Sequence, residues 1–227
     1  MKSFVIILSL LLATTIFAQD KKPDIPHQFE IVKKVDASSV KSQGRTGTCW
    51  AFGTTSFIEA ELIRMGKGEL DLSEMFFIRK DYPRKADDFV RLHGLSNFGP
   101  GGLGHDAMNT IRRCGMMPES NYGGKLVDST SYNHSEMHGI LESMLNSVVK
   151  EKSGSITHLW KSAFNSMLDV YLGKLTTKFL YDGKEYNPKT FKEYLEFNPD
   201  DYVEFTSYTH MPFYEKSYLA IPDNWSH

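Results

Sequence analysis

The chain has 227 residues, 41% of them apolar, and 26 Lys and Arg stand against 28 Asp and Glu. So much apolar content buries a substantial core and excludes a disordered tail, and the near-balanced charge, with no basic block or stripe of aromatics and arginines, excludes a nucleic-acid surface. The two cysteines, Cys49 and Cys114, are too few for a disulfide framework, so packing must hold the core together.

Residues 1–18 read as a secretory signal peptide. Lys2 supplies a positive start, Phe4 to Phe17 an almost unbroken apolar run, and Ala18 a small residue for cleavage ahead of Gln19 and Asp20. The run is shorter than the roughly 20 residues of a spanning helix, and no later segment is apolar enough to cross a bilayer. The expectation is an exported protein, periplasmic or secreted, with no membrane span after cleavage.

After a polar lead, Asp20 to Pro26, an extended stretch from Phe29 to Val35 precedes a Gly/Thr-rich turn, Gly44 to Thr48. A helix is predicted to begin at Cys49, because Ala51, Ile58, Leu62 and Met65 recur at helical spacing, and Gly66-Lys67-Gly68 stops it. Ser73 is the expected N-cap of a short second helix through Phe76, Phe77 and Lys80. Phe98 to Gly104 holds four glycines and a proline in seven residues and must be a loop with unusual backbone angles. A third helix carries Ala107, Ile111 and Cys114 on one face and ends at Gly115. Cys114 thus reads as a small core residue rather than a redox group.

From Glu136 to Lys150, Met137, Ile140, Leu141, Met144, Leu145 and Val148 make an amphipathic helix, which Ser153-Gly154-Ser155 breaks. Ile156 to Tyr171 repeats the pattern, so the pair reads as a helical hairpin. Beyond it, Phe179 to Tyr186 carries the Asp-Gly turn of a β-hairpin, Pro188 to Glu196 a short helix, and Tyr202 to Tyr208 an alternating strand. A β-richer region therefore begins near residue 176.

The chemistry centres on Cys49. A helix N-terminus stabilises a thiolate through unpaired N–H groups and the macrodipole. Gln43, six residues earlier across a glycine turn, can bring a side-chain amide beside the Cys49 N–H, so that two donors converge where the oxyanion of an acyl transfer forms. On spacing alone, that arrangement and a buried cysteine near a surface glutamine both remain open.

The run Val40-Lys-Ser-Gln43-Gly44-Arg-Thr-Gly47-Thr-Cys49-Trp50-Ala51-Phe52 resembles the active-site signature of papain-like cysteine peptidases, and Leu72-Ser73-Glu74 matches the segment that follows it there. Gly101 and Gly102, then Ala107, Ile111, Gly115, Glu119 and Tyr122, look like the family's substrate-cleft loop and the helix behind it. The Arg-Thr-Gly-Thr-Cys-Trp version and the helical insertion after Tyr122 are most similar to the bleomycin hydrolase and aminopeptidase C branch. The resemblance implies an α+β, two-lobe papain-like fold. Residues 19–125 would form the helical left lobe with the nucleophile, 126–175 a helical hairpin insertion, and 176–227 the start of an incomplete β lobe. It further implies that Cys49 is the nucleophile, Gln43 the oxyanion-hole residue, and Trp50 the packing behind the nucleophile. Gly101 and Gly102 would offer backbone bonds to an extended peptide, a role glycine suits because no side chain shields its N–H and C=O. The implied activity is a cysteine-type peptidase, an aminopeptidase, working through a thioacyl-enzyme on Cys49 without cofactor or metal. Peptides are its implied partners, and the family's ring-shaped hexamer is an oligomer the resemblance allows. Papain joins a cysteine at the place of Thr46 to one beside the place of Gly99 and Pro100; this chain has neither.

Such a peptidase needs an imidazole base and an orienting Asn. In compact papain-like enzymes the His follows the Cys by roughly 130–150 residues, yet no histidine lies between His158 and His210. His210 with Asn224 is a poor fit in spacing and context, and His227 a poorer one. The base and the Asn are therefore expected beyond the end of this chain. The alternative is a non-catalytic papain-like module that binds peptides, or an inactive fragment. His134 and His138 share a helix face as metal ligands can, but no third ligand is placed, and they read as a surface pair at a helix start.

Overall fold

The computed structural model describes residues 29–125, 131–151, 156–204 and 213–215. The segment read as a signal peptide, the Ser153-Gly154-Ser155 break, His210, Asn224 and His227 lie outside the described residues. The chain divides into an N-terminal unit, 1–34, whose described residues are irregular, and a main body, 35–227.

Helix α1, Cys49–Arg64, starts where the spacing predicts and buries Trp50, Ala51, Thr55, Ile58 and Leu62. It ends at Met65 because Gly66 and Gly68 adopt positive φ, 78° and 82°, which the helix cannot continue through. The Ser73 hydroxyl accepts from Phe76 N at 3.0 Å and caps α2, Glu74–Arg91. This helix is far longer than the short one expected, and it runs through Pro83. A proline inside a helix costs about 3 kcal/mol, but Met75, Ile78, Tyr82, Ala86 and Phe89 keep one buried stripe going across it. Burial of that stripe outweighs the local cost.

Helix α3, Gly104–Cys114, ends at Gly115 with φ 84°. Cys114 is half-buried and packs at the edge of the core, as expected of it. Helices α4, Ser135–Lys150, and α5, Leu159–Leu172, pack on each other as the predicted hairpin and on α2, which also meets α1 and α3. Phe98 enters this core from the glycine loop, its ring within 6.1 Å of those of Tyr82, Phe89 and Phe164.

Strands β1, Phe179–Tyr181, and β2, Lys184–Tyr186, pair antiparallel, with Phe179 opposite Tyr186. Asp182 and Gly183 between them have φ 47° and 72°, the paired positive angles of a tight hairpin turn. Asn187 caps α6, Pro188–Leu195, by accepting from Lys189 N and Thr190 N. Phe191 of α6 packs against the rings of Phe179, Tyr181 and Tyr186. A short 3₁₀ turn, Pro199–Asp201, then precedes an irregular stretch. The strand expected over Tyr202–Tyr208 is absent from its described part, 202–204. Among the described residues no helix is long and apolar enough to cross a membrane.

Candidate active site

Cys49 is a free, exposed cysteine at the first position of α1. No side chain caps this end and its first turn holds no acidic residue, so the opening N–H groups and the macrodipole act on whatever stands there. The preceding turn is tied by hydroxyls. Thr46 Oγ1 donates to Gln43 O at 3.0 Å and lies 2.5 Å from Thr48 Oγ1. Gly44 and Gly47 take φ 59° and 67°. At Gly47 a Cβ would also stand 2.8 Å from the Pro100 ring, so the turn and the glycine loop approach each other through a missing side chain. Gln43 is half-buried in this turn, and among the described residues its side-chain amide has no hydrogen-bond partner.

Trp50 is buried, and its indole N–H donates to Pro100 O at 2.9 Å. A Cβ on Gly102 would meet the Trp50 ring at 2.7 Å, whereas Gly101 faces open space. Structure therefore brings Trp50, Gly47, Pro100 and Gly102 together beside Cys49.

Sequence reasoning missed the charges under the glycine loop. Lys85 of α2 is 4% exposed; its ammonium donates to Gly101 O and to Gly99 O at 3.3 Å, pairs with Asp81 at 3.3 Å, and lies 5.2 Å from the centre of the Trp50 ring. Burial lowers the pKa of Lys85 and raises that of Asp81. Arg84 bonds Asp81 at 3.0 Å and Asp106 at 2.9 Å, and Asp106 in turn accepts from Leu103 N at 2.9 Å. The i, i+3 and i, i+4 spacing of Asp81, Arg84 and Lys85 was a usable signal. Ending the helix before Pro83 concealed it.

A second cluster lies before the turn. The Lys41 ammonium is 2.8 Å from Glu59, 2.5 Å from Asp71 and 3.2 Å from Glu74. Burial alone would lower its pKa, but hydrogen bonds to Asp71 and Glu59 and the charge of Glu74 more than offset this and hold it above the ordinary lysine value. Burial pushes Glu74 up to about 7 even with the Lys41 cation beside it.

His134 is not the surface residue expected. It is 5% exposed, neither ring nitrogen has a hydrogen-bond partner among the described residues, and burial pushes its pKa down to about 4. Its backbone explains the burial: His134 N donates to Arg45 O at 3.0 Å while Arg45 N donates to Tyr132 O at 2.9 Å, stitching 132–134 to the turn before Cys49. The His138 ring stacks on Phe98 at 5.8 Å, and His105 pairs with Glu204 at 3.0 Å. Among the described residues no cluster of His, Cys, Asp and Glu could hold a metal.

A family model described as papain family cysteine protease matches residues 25–167. The chain belongs to that family. Viral cathepsin from Choristoneura fumiferana nuclear polyhedrosis virus is 31% identical to this papain-family chain over 121 residues, which are 51% of the chain and 34% of the viral protein. Among solved structures, PepW from Lactobacillus rhamnosis HN001 (DR20) superposes with a TM-score of 0.58 at 21% identity, covering 74% of this chain and 46% of that one. At that identity the likeness is one of fold, and it agrees with the mixed helical body and small sheet seen here. The chain spans about a third of the length of the viral relative.

Proposed function

We propose that this chain is the nucleophile-bearing part of an exported cysteine peptidase of the bleomycin hydrolase and aminopeptidase C type, which removes N-terminal residues from peptides. The observation that carries the reading is an exposed Cys49 opening an uncapped helix, next to a glycine loop packed on Trp50. In this mechanism the peptide lies along Gly101 and Gly102, and the Cys49 sulfur attacks the scissile carbonyl carbon. The Cys49 N–H and the Gln43 amide hold the tetrahedral oxyanion. Collapse expels the amine and leaves a thioacyl-enzyme that water hydrolyses. The imidazole that takes the thiol proton and later protonates the leaving amine comes from outside the described residues. A non-catalytic peptide-binding module is the second reading, favoured by the burial of His134 and by the contacts of His105 with Glu204 and of His138 with Phe98.

Iodoacetamide labelling of the native full chain tests the nucleophile. Cys49 should react at least tenfold faster than Cys114, and the ratio should fall toward one in urea. A ratio that is unchanged by unfolding would remove the basis for an activated thiol.

A further inference from the structure

Three consecutive carbonyls of the glycine loop are captured by side chains from two different helices. Gly99 O and Gly101 O accept from Lys85 of α2, and Pro100 O accepts from Trp50 of α1. The loop is anchored at both ends as well, by buried Phe98 on one side and by the Leu103 N bond to Asp106 on the other. Among the described residues, the Gly102 N–H and C=O are left without a partner. The loop thus presents one free peptide edge next to the residue that follows Cys49, with the neighbouring acceptors already satisfied.

Glycines cannot create that state by themselves. Gly99, Gly101 and Gly102 all lie outside the positive-φ region, and a segment so rich in glycine samples many conformations unless something fixes it. Lys85 is the residue equipped to fix it. A compact ammonium has three donors, enough for two carbonyls and Asp81, and its flank rests on the face of the Trp50 ring, a favourable cation–π placement. Arg84, Lys85's neighbour, points its own donors to Asp81, Asp88 and Asp106 and makes the carboxylate side of this network rigid.

We propose that Lys85 is a positioning residue for peptide binding: its buried ammonium, by holding the Gly99 and Gly101 carbonyls on either side of the Pro100 carbonyl that Trp50 holds, sets the free edge of the glycine loop beside Cys49. This rests on the peptidase reading above and deepens it. Lys85 touches neither the peptide nor the reacting atoms.

The test compares two reagents for the same sulfur in the full chain: a peptidyl chloromethyl ketone, which must lie along the loop, and iodoacetamide, which need not. Removing Lys85 alone would take one of its two cations from the buried Asp81 carboxylate, leaving Arg84 at 3.0 Å, and threaten folding. The informative variant is therefore Lys85→Met with Asp81→Asn, which removes both charges and leaves an amide oxygen for Arg84. Far-UV circular dichroism and a cooperative thermal transition establish that it folds. The expected result is a rise of at least tenfold in the half-saturating concentration of the peptidyl reagent, with its limiting rate and the iodoacetamide rate changed less than twofold. Retention of wild-type affinity for the peptidyl reagent in the folded double variant overturns the positioning role while leaving the peptidase reading intact. If the wild type itself shows no preference for the peptidyl reagent over iodoacetamide, the peptidase reading falls and this inference falls with it.

Discussion

Replacing Gly102 with alanine would place a methyl group 2.7, 2.8 and 3.0 Å from three atoms of the Trp50 indole. Carbon atoms in good contact sit about 3.5–4.0 Å apart, so the ring must retreat by roughly 0.8 Å or the loop must lift by as much. Neither is free to move cheaply. Trp50 is 8% exposed and its N–H is bonded to Pro100 O at 2.9 Å, so a shift that relieves the clash breaks that bond. Overpacking a close-packed site costs about 1–3 kcal/mol, and a lost hydrogen bond adds about 1 kcal/mol. Gly102→Ala should therefore destabilise the body by about 2–4 kcal/mol. Gly101→Ala is the matched control: its methyl meets nothing within 4 Å and its φ is not positive, so its effect should stay within about 0.5 kcal/mol. Urea unfolding followed by far-UV circular dichroism reads both. Equal midpoints for the two variants would refute the packing of Trp50 against this loop.

Two buried groups give opposite slopes of stability against pH. Glu74 keeps its proton in the folded chain up to about 7 against an ordinary 4.5, so between those values stability falls as pH rises. His134 holds out against protonation down to about 4 against an ordinary 6.5, so between those values stability falls as pH drops. From pH 7 to 4, relative to the wild type, Glu74→Gln should lose and His134→Phe should gain about 3 kcal/mol each. Urea midpoints at several pH values check this, and differences that do not vary with pH would refute it. At Gly115, a Cβ would stand 2.0 Å from the Pro188 carbonyl oxygen in a backbone conformation, φ 84° and ψ −155°, essentially confined to glycine. The Met116 N bond to that oxygen, 2.9 Å long, would have to give way. Gly115→Ala should cost about 3 kcal/mol or more, seen as a lowered urea midpoint; a wild-type midpoint would disprove the close approach.

What the amino-acid sequence alone determines is set by neighbours along the chain. The start of α1 at Cys49, the Ser73 cap, the stop at Gly115, the Asp182-Gly183 turn and the opening of α6 at Pro188 each follow from a few adjacent residues. Capping bonds, positive φ and the fixed φ of proline act within one turn, so the signal stays local. The tight turn leading into α1 is legible for the same reason: Gln43, Gly47 and Cys49 lie within seven residues.

The tertiary structure decided what depends on partners far along the chain. Pro83 marks a break by its own chemistry, yet the helix continues because Tyr82, Ala86 and Phe89 are buried by other elements. His134 looks like a surface residue until its backbone pairs with Arg45, some ninety positions earlier, and carries the ring inside. Lys85 looks like an ordinary helix-surface lysine until the loop at Gly99–Gly101 closes over it. Local preferences amount to about a kilocalorie per residue, and burial or pairing of one distant side chain exceeds that, so the long-range contacts determine which preferences survive.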